Sequence, residues 1–138
     1  MLLVDAANVV GSRPTGWWRD RPGAARDLID RLRATTLAGR LPGPVVVVLE
    51  GDARAGVDEG LEDDVIVVHA PAGGDDTLVE VAADAARVRD QVLLVSADRE
   101  LGRRVEATGG RVTTPGWLLS VLAPAGDSGD PGFSDTSS

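Results

Sequence analysis

Leu2-Leu3-Val4-Asp5-Ala6-Ala7-Asn8, Val65-Ile66-Val67-Val68 and Val92-Leu93-Leu94-Val95-Ser96-Ala97-Asp98-Arg99-Glu100 follow one pattern: a short run of branched aliphatic residues that leads into acid. In the second case the acid comes after a brief loop, as Gly73-Gly74-Asp75-Asp76-Thr77. Apolar runs of this length, bounded by turn residues, read as strands of a parallel sheet buried on both faces. In an open α/β sheet the carboxyl ends of the strands line the ligand crevice. Carboxylates delivered there by three segments repel one another unless a cation sits between them. An all-oxygen set of this kind suits a hard divalent ion such as Mg2+ or Mn2+.

Outward from these stretches, the chain alternates strand and helix. The breaker Leu41-Pro42-Gly43-Pro44 precedes a second strand, Val45-Val46-Val47-Val48-Leu49, and Arg111-Val112-Thr113 reads as a fifth. Helices are predicted over about 23–36, 75–88 and 98–107. A last one opens at Thr114-Pro115, with Thr114 as N-cap and proline at the first position. This alternation predicts an α/β fold, a three-layer αβα sandwich around a parallel sheet of about five strands. Residues 1–122 form the single expected domain. From 123 to 138 the composition turns to Gly, Ser, Pro and Asp, which reads as a disordered acidic tail. The run Asp58-Glu59-Gly60-Leu61-Glu62-Asp63-Asp64 reads as a solvated connector, and Trp117 as a core residue.

Composition excludes several chemistries. With no cysteine among 138 residues, disulfides and thiolate-bound zinc or iron are ruled out. All 14 basic residues are arginine, so lysine-dependent phosphate loops and Schiff-base catalysis are ruled out as well. The net charge of −8 argues against a large, electrostatically driven nucleic-acid surface. The apolar start is only four residues long before Asp5, too short for a signal peptide or a membrane span, and a cytoplasmic protein is expected.

Each candidate residue has a local role as its alternative. Asp5 caps or turns the chain, or serves a site, and Asn8 stands three residues on. Asp75 and Asp76 in a first helical turn are already favoured by the helix dipole. Ser96 could be a plain N-cap before Asp98. The conjunction at three strand ends carries more than any one of them. The segment from Gly11 to Gly23 holds Trp17 and Trp18 among Arg13, Arg19 and Arg21. Arginine on phosphate and aromatic rings on bases hold single-stranded nucleic acid, whereas tryptophans folded inward would cap the core. Arg99 is close enough in sequence to Asp98 to touch phosphate, while Arg103 and Arg104 read as surface partners of Glu100 and Glu106. His69, the single histidine, reads as structural.

The combination Asp-x-x-Asn after the first strand, Asp-Asp at a helix start and Ser-x-Asp-Arg-Glu-Leu after the fourth resembles the motifs of the PIN-like nuclease superfamily. It is most similar to the NYN branch, which includes the bacterial YacP-like proteins. The motif order spans roughly residues 2–117. The resemblance implies a PIN-like, Rossmannoid fold and a metal-dependent ribonuclease. Carried over by position, it implies Asp5, Asp76 and Asp98 as ligands of Mg2+ or Mn2+, Asp75 as a near-equivalent, and Asn8 and Ser96 orienting ligands or substrate. Two departures stand out. Ala6 replaces a glycine common after the first aspartate. After the second strand, Glu50-Gly51-Asp52 replaces a usual Asp-Gly or Asp-Ala pair, so either Glu50 with its longer reach or Asp52 supplies that acid.

Hydrolysis of an RNA phosphodiester by a metal-activated water is the expected activity, on RNA read as single-stranded, with Arg13, Trp17, Arg19 and Arg99 as substrate contacts. Such chemistry needs no histidine or lysine base. A haloacid-dehalogenase-like phosphatase is disfavoured because Ala7 stands where its second aspartate belongs and lysine is absent. A nucleotide pyrophosphohydrolase, or a non-catalytic RNA-binding scaffold on the same fold, are the alternatives.

Overall fold

The computed structural model describes residues 1–12 and 16–123. Its strands are β1 (Leu2–Asp5), β2 (Val45–Leu49), β3 (Gly60–Glu62), β4 (Val65–His69), β5 (Leu93–Val95) and β6 (Arg111–Thr113), in the order β3-β4-β2-β1-β5-β6. Helices α1 (Ala6–Gly11), α2 (Arg21–Leu37), α3 (Gly74–Arg87), α4 (Arg99–Glu106) and α5 (Pro115–Val121) flank them, with 3-10 turns at Trp17–Arg19 and Gly51–Gly56.

The β-branched runs bury both faces, as parallel strands must. Leu2, Val4, Val45, Val47 and Val67 pack under α1, α2 and α5. Leu3, Val46, Val48 and Leu94 pack under α3 and α4. The period of two along each strand thus divides the apolar residues between two cores.

From β1 the chain moves to β2 and then β4 on one side, and from there crosses to β5 and β6 on the other. The order therefore reverses between β1 and β5, which both pair with parallel register. In doubly wound sheets the ligand crevice lies at such a switch point, outside the carboxyl ends of the strands.

The five parallel strands and the three-layer architecture are as expected; three local features differ. Gly60–Glu62, inside the run read as a connector, is an antiparallel edge strand on β4. Its two-residue turn, Asp63-Asp64, has positive φ at both positions (52° and 63°), the hairpin geometry in which aspartate is favoured. All three β3 residues are exposed, so no alternating pattern betrayed the strand. Trp117 is 38% exposed rather than core, because α5 buries Leu118 instead. The residues directly after Asp5 form α1, a short helix. The tail expected over 123–138 lies outside the described residues, apart from Ala123 itself. No described helix is long and apolar enough to cross a membrane.

Candidate active site

Asp5 closes β1 and caps α1, accepting the Asn8 amide at 3.3 Å. It is only 6% exposed. Its second oxygen accepts the Ser96 hydroxyl at 2.9 Å, across the switch point. The Ser96 oxygen in turn accepts the Asp98 amide at 3.1 Å, and Asp98 caps α4 by accepting from the Leu101 amide at 3.1 Å. Asn8 completes the tie, accepting the Ala97 amide at 2.8 Å through its side-chain oxygen. Asp5, Asn8, Ser96 and Asp98 are thus one hydrogen-bonded group. The bonds that cap α1 and α4 belong to the same set that ties these four residues together.

Two further carboxylates face this group. Glu50, just past β2, accepts the Gly74 amide at 3.0 Å and so stands in for the cap that Gly73, at the start of α3, lacks. Asp75 lies in the first turn of that helix. Burial raises the Asp5 carboxyl to about 6 against its hydrogen bonds to Ser96 and Asn8, with repulsion from Asp75 and Glu50 adding to the rise. Asp75 is raised too, first by partial loss of solvent and then by repulsion from Asp98 and Glu50. Mutual repulsion of this kind is what a divalent cation relieves.

The structure separates the two neighbouring aspartates. Asp76 is engaged by Arg104, whose Nη2 lies 2.8 Å from its Oδ1, and its side chain is 82% exposed. Successive helical residues are about 100° apart, so when Asp75 faces Asp5, Asp76 faces α4. The pairing also corrects the reading of Arg104, whose partner is Asp76 and not Glu106. Its charge is held more firmly by the hydrogen bond it donates to Asp76. Arg103 does pair with Glu100, at 3.1 Å.

The donor set consists of oxygens alone. Among the described residues no three acidic groups converge on a single cation-sized point. Mg2+ is commonly held by only one or two carboxylates, with water and substrate phosphate completing the shell, and the donors present fit that mode.

Two hollows flank the acids. One, of ≈ 190 Å³, is lined by Ala6, Ala7, Val10, Arg21, Ala25, Glu50, Gly51 and Ala53. The other, of ≈ 470 Å³, runs past Ser96, Asp98, Arg99, Arg103 and Thr113. Arg99 lines this second hollow together with Asp98. Trp18 is 55% exposed rather than folded inward, and the Arg19 guanidinium lies 6.0 Å from its ring centre. Arg13 and the Trp17 side chain lie outside what the structure describes. Asp52 is exposed on the Gly51–Gly56 turn. His69 donates its Nε2–H to the Val57 carbonyl at 2.7 Å, a structural bond. Sequence reasoning missed the Ala-lined hollow, whose only signal was the small pair Ala6-Ala7 after the first aspartate.

No protein-family model matches the chain, and no curated protein matches it in sequence. Solved structures do. The crystal structure of Rae1 (YacP) from Bacillus subtilis superposes with a TM-score of 0.69 at 18% identity, covering 87% of this chain and 71% of that one. A tryptophan-to-leucine mutant of it gives 0.62, again at 18% identity, covering 86% and 71%. The chain has the fold of these proteins, which bears out the resemblance to YacP-like proteins at the level of architecture.

Proposed function

We propose that the chain is a divalent-metal-dependent ribonuclease acting at the carboxyl edge of its sheet. The observation that carries this reading is Asp5: a buried carboxylate, raised to about 6, facing Asp75 and Glu50 at the switch point of the sheet. The motif resemblance supports RNA as the substrate class, and the fold shared with Rae1 (YacP) supports that resemblance. Mg2+ or Mn2+ would be held by Asp5 and Asp75, with Glu50 and Asp98 beside them. Asp75 takes the place first given to Asp76, which is paired with Arg104.

When bound, the ion would supply an activated water and a polarised phosphoryl oxygen. The protein's own residues do the rest. Ser96 and the Asn8 amide hold the Asp5 carboxylate in one orientation, and Glu50 fixes the start of α3 so that Asp75 faces inward. Arg99, in the lining of the second hollow, neutralises phosphate at the rim. Single-stranded RNA is the preferred form, because the exposed Trp18–Arg19 pair offers a stacking surface that paired bases cannot reach.

The test is cleavage of an RNA panel with Mn2+, Mg2+ or EDTA, comparing wild type with Asp5→Asn and Asp98→Asn. Cleavage should require metal. Each variant should lose at least the roughly 10–100-fold that follows removal of an outer-shell partner. Activity surviving both substitutions removes the proposed centre. Hydrolysis of nucleoside triphosphates alone points to a pyrophosphohydrolase, and RNA binding without metal uptake or cleavage to a scaffold.

A further inference from the structure

The ≈ 190 Å³ hollow beside Glu50 is built rather than incidental. Its walls are α1, the start of α2 and the Gly51–Gly56 turn. That turn is pinned from two directions. Gly56 sits so close to the Pro22 carbonyl that a Cβ there would collide with it, and Arg26 Nε donates to the Gly56 carbonyl at 3.2 Å. On the other flank Arg54 donates to the Ala70 carbonyl at 3.3 Å, tying the turn to the end of β4. The hollow is therefore pre-formed, as small-ligand sites usually are.

Its chemistry is selective. Ala6, Ala7, Val10 and Ala53 present methyl groups, while among the described residues Arg21 supplies a cation to the lining and Glu50 a carboxylate. The volume falls below the roughly 300–1,000 Å³ typical of drug-sized sites, leaving room for a single ring system. Ala6 follows Asp5 directly, and Glu50 belongs both to the hollow and to the acidic group. The hollow therefore adjoins the acidic group. The second hollow, beside Asp98, carries Arg99 and Arg103 in its lining.

We propose that the Ala-lined hollow is a nucleobase subsite, holding the unpaired base next to the scissile phosphate of a single-stranded RNA. It rests on the ribonuclease reading and deepens it. A flat ring lies between the methyl walls, and Arg21 meets the attached ribose phosphate. The Arg99–Arg103 groove takes the sugar-phosphate backbone on the other side. The strand then crosses the sheet edge with one defined polarity, base-held on the α1 side and phosphate-held on the α4 side. A base in a duplex cannot enter, so the geometry selects single strands.

The experiment uses the full chain with labelled alanine methyl groups, titrated in EDTA with the four 5′-mononucleotides and with ribose 5-phosphate. Nucleotides should shift the methyls of Ala6, Ala7 and Ala53 several-fold more than ribose 5-phosphate, which meets only Arg21 at the rim. Ala7→Leu fills the hollow from an exposed position on α1, and Ala53→Val fills it from the opposite wall. Each should weaken nucleotide binding by about tenfold, the scale of one lost base contact, with the remaining methyl spectrum reporting an intact fold. Equal shifts with ribose 5-phosphate, shifts confined to the Arg99 groove, no alanine shift with any nucleotide, or unchanged affinity in both variants overturns the subsite. Because EDTA removes cleavage from the readout, a protein that cuts no RNA defeats the ribonuclease reading while the titration still decides the hollow.

Discussion

Asp5 is held where its neutral form is favoured, so the metal-free fold is strained by its own carboxylate. The native state binds this proton more tightly than the unfolded chain, with the carboxyl raised from 3.8 to about 6. Stability from that difference is complete below about pH 4 and is lost as pH rises through 6, by up to about 3 kcal/mol. In metal-free protein, the denaturant midpoint of wild type should therefore fall relative to Asp5→Asn between about pH 4 and pH 7. Parallel pH profiles for the two proteins would show that Asp5 is not perturbed. Ser96→Ala acts in the other direction. It deletes a buried hydroxyl that serves Asp5 and the Asp98 amide together, and should destabilise by about 1–3 kcal/mol while raising Asp5 further, followed by carboxyl NMR titration. The four tied residues were legible because they stand at, or within three residues of, the ends of β1 and β5. The choice between Asp75 and Asp76 was not, since one residue of helical rotation decides it and Arg104 reaches across from another helix.

Glycines at the element joints separate positioning from folding. A Cβ on Gly74 would press on the far end of the Glu50 side chain, which can swing away. Gly74→Ala is expected to leave stability within about 1 kcal/mol while weakening Mn2+ binding, because Glu50 loses its place at the start of α3. Gly56→Ala meets the Pro22 backbone carbonyl, which cannot move without shifting α2. It should destabilise by about 1–3 kcal/mol, read from urea unfolding. Equal destabilisation by the two would mean that Glu50 is held as rigidly as the backbone. The parallel strands and the longer helices were readable from apolar runs and caps. The hairpin of β3 was not, because a fully exposed edge strand of three residues carries no hydrophobic period, and the Asp63-Asp64 turn resembles any acidic loop.

Across the whole molecule, a net charge of −8 and an acidic crevice make the protein's response to cations a global property. Mg2+ or Mn2+ at a hundred times its dissociation constant should stabilise wild type by about 2.7 kcal/mol, seen as a rise in melting temperature that Asp5→Asn abolishes. Stabilisation of equal size in that variant would place the ion elsewhere. The alternation of strand and helix made the layer order readable, but the reversal at β1 and β5 emerges only from pairing. That reversal has a consequence in time. The Ser96–Asp5 bond joins residues 91 apart in the chain, on a parallel strand pair closed by a long crossover. Such non-local pairing forms slowly, after local helices and neighbouring strands. The burial of Asp5 is then expected in the last part of folding, beyond the transition state. The stability gained by Asp5→Asn at neutral pH should appear almost wholly as slower unfolding, with the refolding rate unchanged. Metal-free wild type would thus reach its native state as readily as the variant, and leave it sooner.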